Sequence, residues 1–104
     1  MGRRDPDVKA TVKFFRSDQG GRDGPTPADS LRCILVVDDK NFDVALWLEE
    51  VGSVSPGQTV QVPMSFVSPA LAMKHVTLGK KFFLRDYRRI AEGVFDEICV
   101  TGTQ

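Results

Sequence analysis

FFLRDYRRIAEGV, residues Phe82–Val94, is the stretch that decides the fold. Its aromatic and branched residues are typical of β-strands and the charged residues between them are typical of a turn, which predicts a hairpin. Upstream, Pro56-Gly57 predicts a type II turn, because glycine accepts the positive φ that this turn requires. Val60–Phe66 then alternates as a strand does, and Pro63, which has no amide hydrogen, predicts an edge or a bulge within it.

The same period-two alternation recurs elsewhere in the chain. Strands are predicted at Val8–Phe14, at Leu31–Val37 and from Phe42 to Glu49, although the composition of Phe42–Val51 is also compatible with a helix. Other β-rich stretches are Val76–Leu78 and Ile90–Val100, with kinks or bulges expected at Gly79 and Gly93, whereas residues 70–76 fit either a helical turn or coil. The predicted fold class is all-β, a single closed or partly closed antiparallel β-barrel of about six or seven strands.

Length and composition predict one domain over residues 1–104, with residues 1–7 a disordered tail. Fourteen basic and fourteen acidic residues cancel, so the chain has no global field that attracts nucleic acid or an anionic membrane. No apolar run is long enough for a membrane helix or a signal peptide, and we therefore expect a cytoplasmic protein without membrane contact.

The two cysteines, Cys33 and Cys99, belong to no Cys-x-x-Cys pair, which argues against a metal site. We expect both to be buried, reduced and packed as small hydrophobes, with a pairing or redox role as the alternative. His75 is the only histidine and has no suggestively spaced Cys or Asp, so no catalytic constellation is recognised. The sequence indicates neither an enzyme nor a cofactor.

Four landmarks follow one another along the chain. They are the first strand with its Gly20-Gly21-Arg22 loop, the Pro56-Gly57-Gln58-Thr59-Val60 turn and strand, Phe66-Val67-Ser68-Pro69, and Phe82–Val94. In this order and spacing, over residues 8–98, they resemble the C-terminal β-barrel, the third domain, of translation elongation factor Tu. The resemblance implies a barrel that in the full factor packs on the second domain and touches the GTPase domain and the acceptor and T stems of aminoacyl-tRNA.

The chain also departs from that family pattern. Asp23-Gly24-Pro25 replaces the His-Thr-Pro after the Gly-Gly-Arg loop, and several extra residues lie between Pro69 and Phe82. Asp86-Tyr87 or Tyr87-Arg88 stands where the family's last hairpin has Gly-Gly. The chain contains no Gly-x-x-x-x-Gly-Lys-Ser/Thr loop, so GTP binding is not expected.

A cluster of basic residues between positions 74 and 89 is the strongest local charge bias. With an interleaved aromatic and the Gly-Gly loop, it predicts a nucleic-acid-binding surface: Lys74, Lys80, Lys81, Arg85, Tyr87, Arg88, Arg89, Gly20, Gly21 and Arg22. The alternatives are a solvated hairpin whose charges give solubility and protect an edge strand, and a Gly-Gly loop that is only a turn.

The region from residue 38 to residue 50 is acidic and contains the only tryptophan. It predicts a protein interface at Asp38, Asp39 and Trp47, with a solvated face and a core tryptophan as the alternatives. The leading functional prediction is a non-catalytic binding module that contacts RNA, tRNA-like or ribosomal, through the basic hairpin. The rival is a protein-interaction module or homo-oligomer that uses bare barrel surface, with Phe15, Trp47 or Phe83 as contacts.

Overall fold

The computed structural model describes residues 6–16, residue 18 and residues 24–99. In this part of the chain it has six strands, a four-residue helix α1 (Pro69–Ala72) and a 3₁₀ turn (Met73–His75). The strands are β1 (Val8–Phe14), β2 (Ser30–Val37), β3 (Lys40–Trp47), β4 (Thr59–Phe66), β5 (Lys81–Arg85) and β6 (Arg89–Ile98).

The strands form one closed antiparallel barrel in the order β1-β4-β3-β2-β5-β6, and β6 pairs back with β1. The predicted all-β barrel is thereby confirmed. Of the predicted alternatives, it has six strands rather than seven over the described residues, and it is closed rather than partly closed. The helical alternative for the third segment is wrong, because β3 is a strand. Residues 70–75 form the helical turns, and the β-rich Val76–Leu78 is not a strand but the coil and turn that lead into β5.

The core follows directly from the alternation of apolar residues along the strands. On β1, Val8, Ala10, Val12 and Phe14 are all 1% exposed or less and point into the barrel. Four phenylalanines fill the interior: Phe14, Phe66, Phe82 and Phe95. Burying one such side chain is worth roughly 1.5–3 kcal/mol, so the inward face of the barrel supplies most of the driving force for closure.

Pro63 is accommodated without an edge or a break in β4. Phe14 N donates to Gln58 O and Asp7 N to Met64 O, so the even-numbered residues of β4 direct their backbone groups towards β1. Pro63 therefore faces β3, whose ladder covers only Met64–Phe66 of β4. The missing amide hydrogen falls at a point that the β3 ladder does not reach, and no ladder bond is lost.

Gly93 is a close-approach position rather than the predicted kink. A Cβ at this residue would lie 2.6 Å from Thr11 O and 2.7 Å from the Phe82 ring, inside any normal contact distance. The register shifts of β6 lie elsewhere, opposite Lys9/Ala10 on β1 and Leu84/Arg85 on β5. Gly93 thus lets β6 lie against both neighbours while Phe82 fills the interior.

The described residues just before β1 pack against the barrel. Asp7 accepts a hydrogen bond from Cys99 N through its carbonyl at 2.9 Å and from Phe66 N through its carboxylate at 2.8 Å. The tail expected over residues 1–7 is therefore anchored at Asp7, and residues 1–5 lie outside the described part of the chain.

Candidate nucleic-acid interface

The basic segment between residues 74 and 89 is divided by the barrel between two ends. β5 crosses the barrel wall from Lys81 to Arg85, a distance of about 13 Å at the usual rise per residue. We call the end that carries the β2–β3 turn the turn end, and the end that carries residues 86–88 the hairpin end. The six basic residues thus form two groups rather than one continuous patch.

At the turn end, Lys80 is paired with an acidic residue of the same molecule. The Asp38 carboxylate accepts a hydrogen bond from Lys80 Nζ at 2.5 Å, and the same oxygen lies 3.0 Å from His75 Nδ1. The hydrogen bond from Lys80, and then that from His75, holds the pKa of Asp38 below its ordinary value. Asp38, predicted for a protein interface, and Lys80, predicted for nucleic-acid binding, are therefore bonded to each other. Lys74, on the 3₁₀ turn beside them, is exposed.

The backbone at this turn explains why an aspartate stands there. Asp38 has φ 53° and Asp39 has φ 62°, and they form the two-residue connection between Val37 and Lys40. Two consecutive positive φ values define the type I′ turn that suits the twist of a hairpin, and Asp tolerates this conformation better than most residues. The turn thereby presents Asp38 to the connection between β4 and β5.

At the hairpin end, the turn is built from side-chain bonds of aspartate instead of glycines. The Asp86 carboxylate accepts from the backbone amides of Tyr87 and Arg88, and Arg85 Nη1 donates to the carbonyl of Asp86 at 3.0 Å. Such an Asx-type arrangement mimics a backbone turn. Tyr87 at the tip is 100% exposed, so its ring contributes nothing to the core.

The outward face of β5 joins the hairpin to the rest of this surface. Lys81, Phe83 and Arg85 alternate outward along the strand while Phe82 and Leu84 are buried. The guanidinium carbon of Arg89 lies 3.9 Å from the centroid of the Phe83 ring, a cation–π contact that holds the cation on the barrel wall. Four of the predicted residues, Arg85, Tyr87, Arg88 and Arg89, are thus brought together.

The loop predicted to contribute Gly20, Gly21 and Arg22 lies outside the described residues. The strand that leads into it ends at the hairpin end, since Phe14 pairs with Ala91 and Phe15 N donates to Ile90 O at 2.9 Å.

Trp47 does not share a surface with Asp38 and Asp39. It lies at the opposite end of β3, about 23 Å along the strand from the turn. Its ring is half-buried and Nε1 donates to Ser65 Oγ at 2.9 Å. A groove of about 530 Å³ runs beside it, lined by Ser30, Arg32, Ala45, Trp47, Ser65, Phe66 and Val67. The three residues predicted for one protein interface are therefore split between the two ends.

The other reactive side chains singled out from the sequence are His75 and the two cysteines. His75 contacts Asp38 and the ring of Phe42, and no described Ser, Thr or Cys side chain is hydrogen-bonded to its imidazole. Cys33 and Cys99 are half-buried and are not joined in a disulfide, and burial followed by the nearby Glu97 raises the pKa of Cys99. Within the described part of the chain no cluster of three or more His, Cys, Asp or Glu could hold a metal, and no helix is long and apolar enough to cross a membrane.

Some charged and polar residues on the outer wall of β1 and β6 were not among the predicted site residues. β1 places Lys13 opposite Glu92 on the outer wall, and Thr11 donates to Asp96 at 2.6 Å. The alternation of β1 predicts that Thr11 and Lys13 face outward, but only the β1–β6 register shows which residues they meet.

No protein-family model matches this chain, and no curated protein is similar to it in sequence. The resemblance to the third domain of elongation factor Tu therefore stays a prediction from the sequence.

Proposed function

We propose that the protein is a non-catalytic β-barrel module that binds RNA through the hairpin end. The observation that carries this proposal is the interleaving of aromatic and cationic groups on one surface, with exposed Tyr87 at the tip and the Arg89–Phe83 pair on the wall. Cations bind phosphates, while exposed rings stack on unpaired bases. Because the whole chain has no net charge, affinity for RNA must come from a local surface of this kind.

The shape of the hairpin also suits this role. Asp86 is the one acidic residue among positions 85–89, and its carboxylate accepts two backbone amides of the turn. Its carboxylate is thus bound by the backbone of the turn. The sequence resemblance to a tRNA-contacting barrel supports the same ligand class, with tRNA-like or ribosomal RNA as the first candidates.

The test is a titration of fluorescently labelled tRNA and of an unstructured RNA at about 50 mM and 200 mM salt. We expect micromolar or tighter binding at low salt that weakens as salt rises. Absence of binding at low salt contradicts the proposal. Equal binding by a variant with a reversed hairpin charge contradicts the assignment to this surface.

A protein partner is the second candidate function, and the Trp47 groove favours it. Val67, on the rim of the groove, is 55% exposed, and a neighbouring groove lined by Arg32, Val67, Arg85 and Asp86 extends towards the hairpin. Because Trp47 is the only tryptophan, its fluorescence reports on this surface directly. Concentration-dependent emission together with a doubled mass in light scattering would indicate a homodimer, and invariance of both would argue against one.

A further inference from the structure

A recess lies on the outer wall where β5, β6 and β1 run side by side. Two cross-strand rows border it, Lys81–Val94–Thr11 and Phe83–Glu92–Lys13, as the strand registers place them. Phe82 and Gly93 also line it, and its volume is about 190 Å³. This is smaller than the roughly 300–1,000 Å³ of pockets that enclose drug-sized ligands, so it has room for one ring rather than a whole nucleotide.

One wall of the recess is an aromatic ring held in place from outside. Arg89 packs on Phe83 but does not line the recess. Arg89 pairs with Arg85, and this pair lies closer to the β5–β6 turn than Phe83 and its partner Glu92 do. The guanidinium therefore braces the ring from the hairpin side, while the ring also contributes to the recess. A planar ligand in the recess would stack on Phe83 with little loss of side-chain freedom, since the ring is already held.

The charged groups around the recess have unused hydrogen-bonding capacity. Within the described residues, Lys13, Lys81 and Glu92 form no ion pair and no side-chain hydrogen bond. Two ammonium groups on the rim suit the phosphates on either side of a bound base. A carboxylate only accepts hydrogen bonds, so Glu92 selects a ligand edge that donates.

We propose that this recess holds one unpaired cytosine of a single-stranded RNA, with its ring on Phe83, its exocyclic amine on Glu92 and its flanking phosphates on Lys13 and Lys81. This assignment rests on the proposed RNA-binding function and names its base specificity. The size favours a pyrimidine, and a carboxylate is the side chain that accepts from the cytosine amine. Uracil has the O4 carbonyl at the position of this amine, so in the same pose an acceptor would meet the carboxylate of Glu92.

The test compares short oligocytidylate and oligouridylate of equal length at low salt. We expect the protein to bind oligocytidylate about tenfold more tightly, in line with the discrimination of one specific base contact. Glu92→Gln should abolish the preference while binding to oligouridylate persists, because the amide no longer presents only acceptors. Glu97→Gln removes a carboxylate from the same strand outside the recess and should keep the preference.

The outcomes separate this inference from the function on which it rests. Equal affinity of the wild-type protein for both oligonucleotides, with dependence on the hairpin arginines, overturns the cytosine site and leaves RNA binding standing. Absence of binding to either overturns both. Because Glu92 is exposed and lies on the wall, its variant should unfold at the wild-type temperature, and circular dichroism checks that the comparison is between folded proteins.

Discussion

At the turn end the Asp38 carboxylate accepts a hydrogen bond from Lys80 and contacts His75, whereas at the hairpin end Tyr87 projects fully exposed between arginines. Both ends draw their cations from the same basic run of the sequence. The difference shows that neighbouring charges in the sequence need not share a surface, because the fold pairs Lys80 with the Asp38 carboxylate and places the arginines around Tyr87 at the other end. Changes at the Asp38–Lys80 pair should therefore alter stability, and changes on the outer surface of the hairpin end should alter RNA binding.

The largest effect is expected from Arg85→Glu combined with Arg89→Glu. The pair reverses two charges next to the tip and removes the contact between Arg89 and Phe83. RNA affinity at low salt should fall by about a hundredfold, and the salt dependence should become shallower because fewer counterions are released. The measurement is the same RNA titration at two salt concentrations.

The matched control is Lys40→Glu combined with Lys74→Glu at the turn end. It changes the net charge equally at two exposed positions. Its affinity at about 200 mM salt should fall by no more than about threefold, since screening at physiological salt already acts over roughly 8 Å. An equal loss in both variants would mean that overall charge, not the hairpin surface, determines binding.

Gly93→Ala tests the inward side of the same hairpin. The new methyl group would meet a backbone oxygen of Thr11 at 2.6 Å, and a backbone atom cannot move aside as a flexible side chain can. The free energy of unfolding in urea should fall by about 1–3 kcal/mol, the usual cost of overpacking. Gly79→Ala is a poor control because of its positive φ, but Gly24→Ala, with open space around its Cβ position, should be close to neutral. A neutral Gly93→Ala would contradict the close approach of β6 to β1.

Tyr87→Ala removes the exposed aromatic ring and leaves all charges in place. Stacking on one base is worth about 1–3 kcal/mol, so RNA affinity should fall by about tenfold. The melting temperature should not change, because the ring is 100% exposed. Tyr87→Phe keeps the ring and should retain most of the affinity. If Tyr87→Phe binds as weakly as Tyr87→Ala, the hydroxyl rather than stacking makes the contact.

The barrel was predictable because each strand alternates, and alternation needs only neighbouring residues. The turn at Pro56-Gly57 was predictable for the same local reason, and Gly57 has the expected positive φ of 89°. The pairing of Asp38 with Lys80 was not predictable, because the two residues are 42 positions apart. They come together only because the β2–β3 turn lies next to the β4–β5 connection. Strand register, which no local pattern specifies in full, also decides that Lys13 and Glu92 meet beside Phe83.

The smallest effect in this comparison is expected from Asp38→Asn, which removes one charge at the turn end. Asn also tolerates positive φ, so the turn itself should persist and only the bonds to Lys80 and His75 weaken. Because the pKa of Asp38 is lowered in the folded protein, its contribution to stability is fully present above the ordinary value of 3.8 and disappears as the pH falls through the lowered pKa. The variant should melt slightly below the wild type at pH 7, and the difference should vanish in acid, while RNA affinity stays unchanged.

Asp39→Asn is the matched control, since Asp39 also has a positive φ and its carboxylate makes no hydrogen bond or ion pair within the described residues. Identical pH profiles of melting temperature for the two variants would show that the Asp38 pairing contributes nothing to the fold, and the contrast between the two ends would then lose its physical basis.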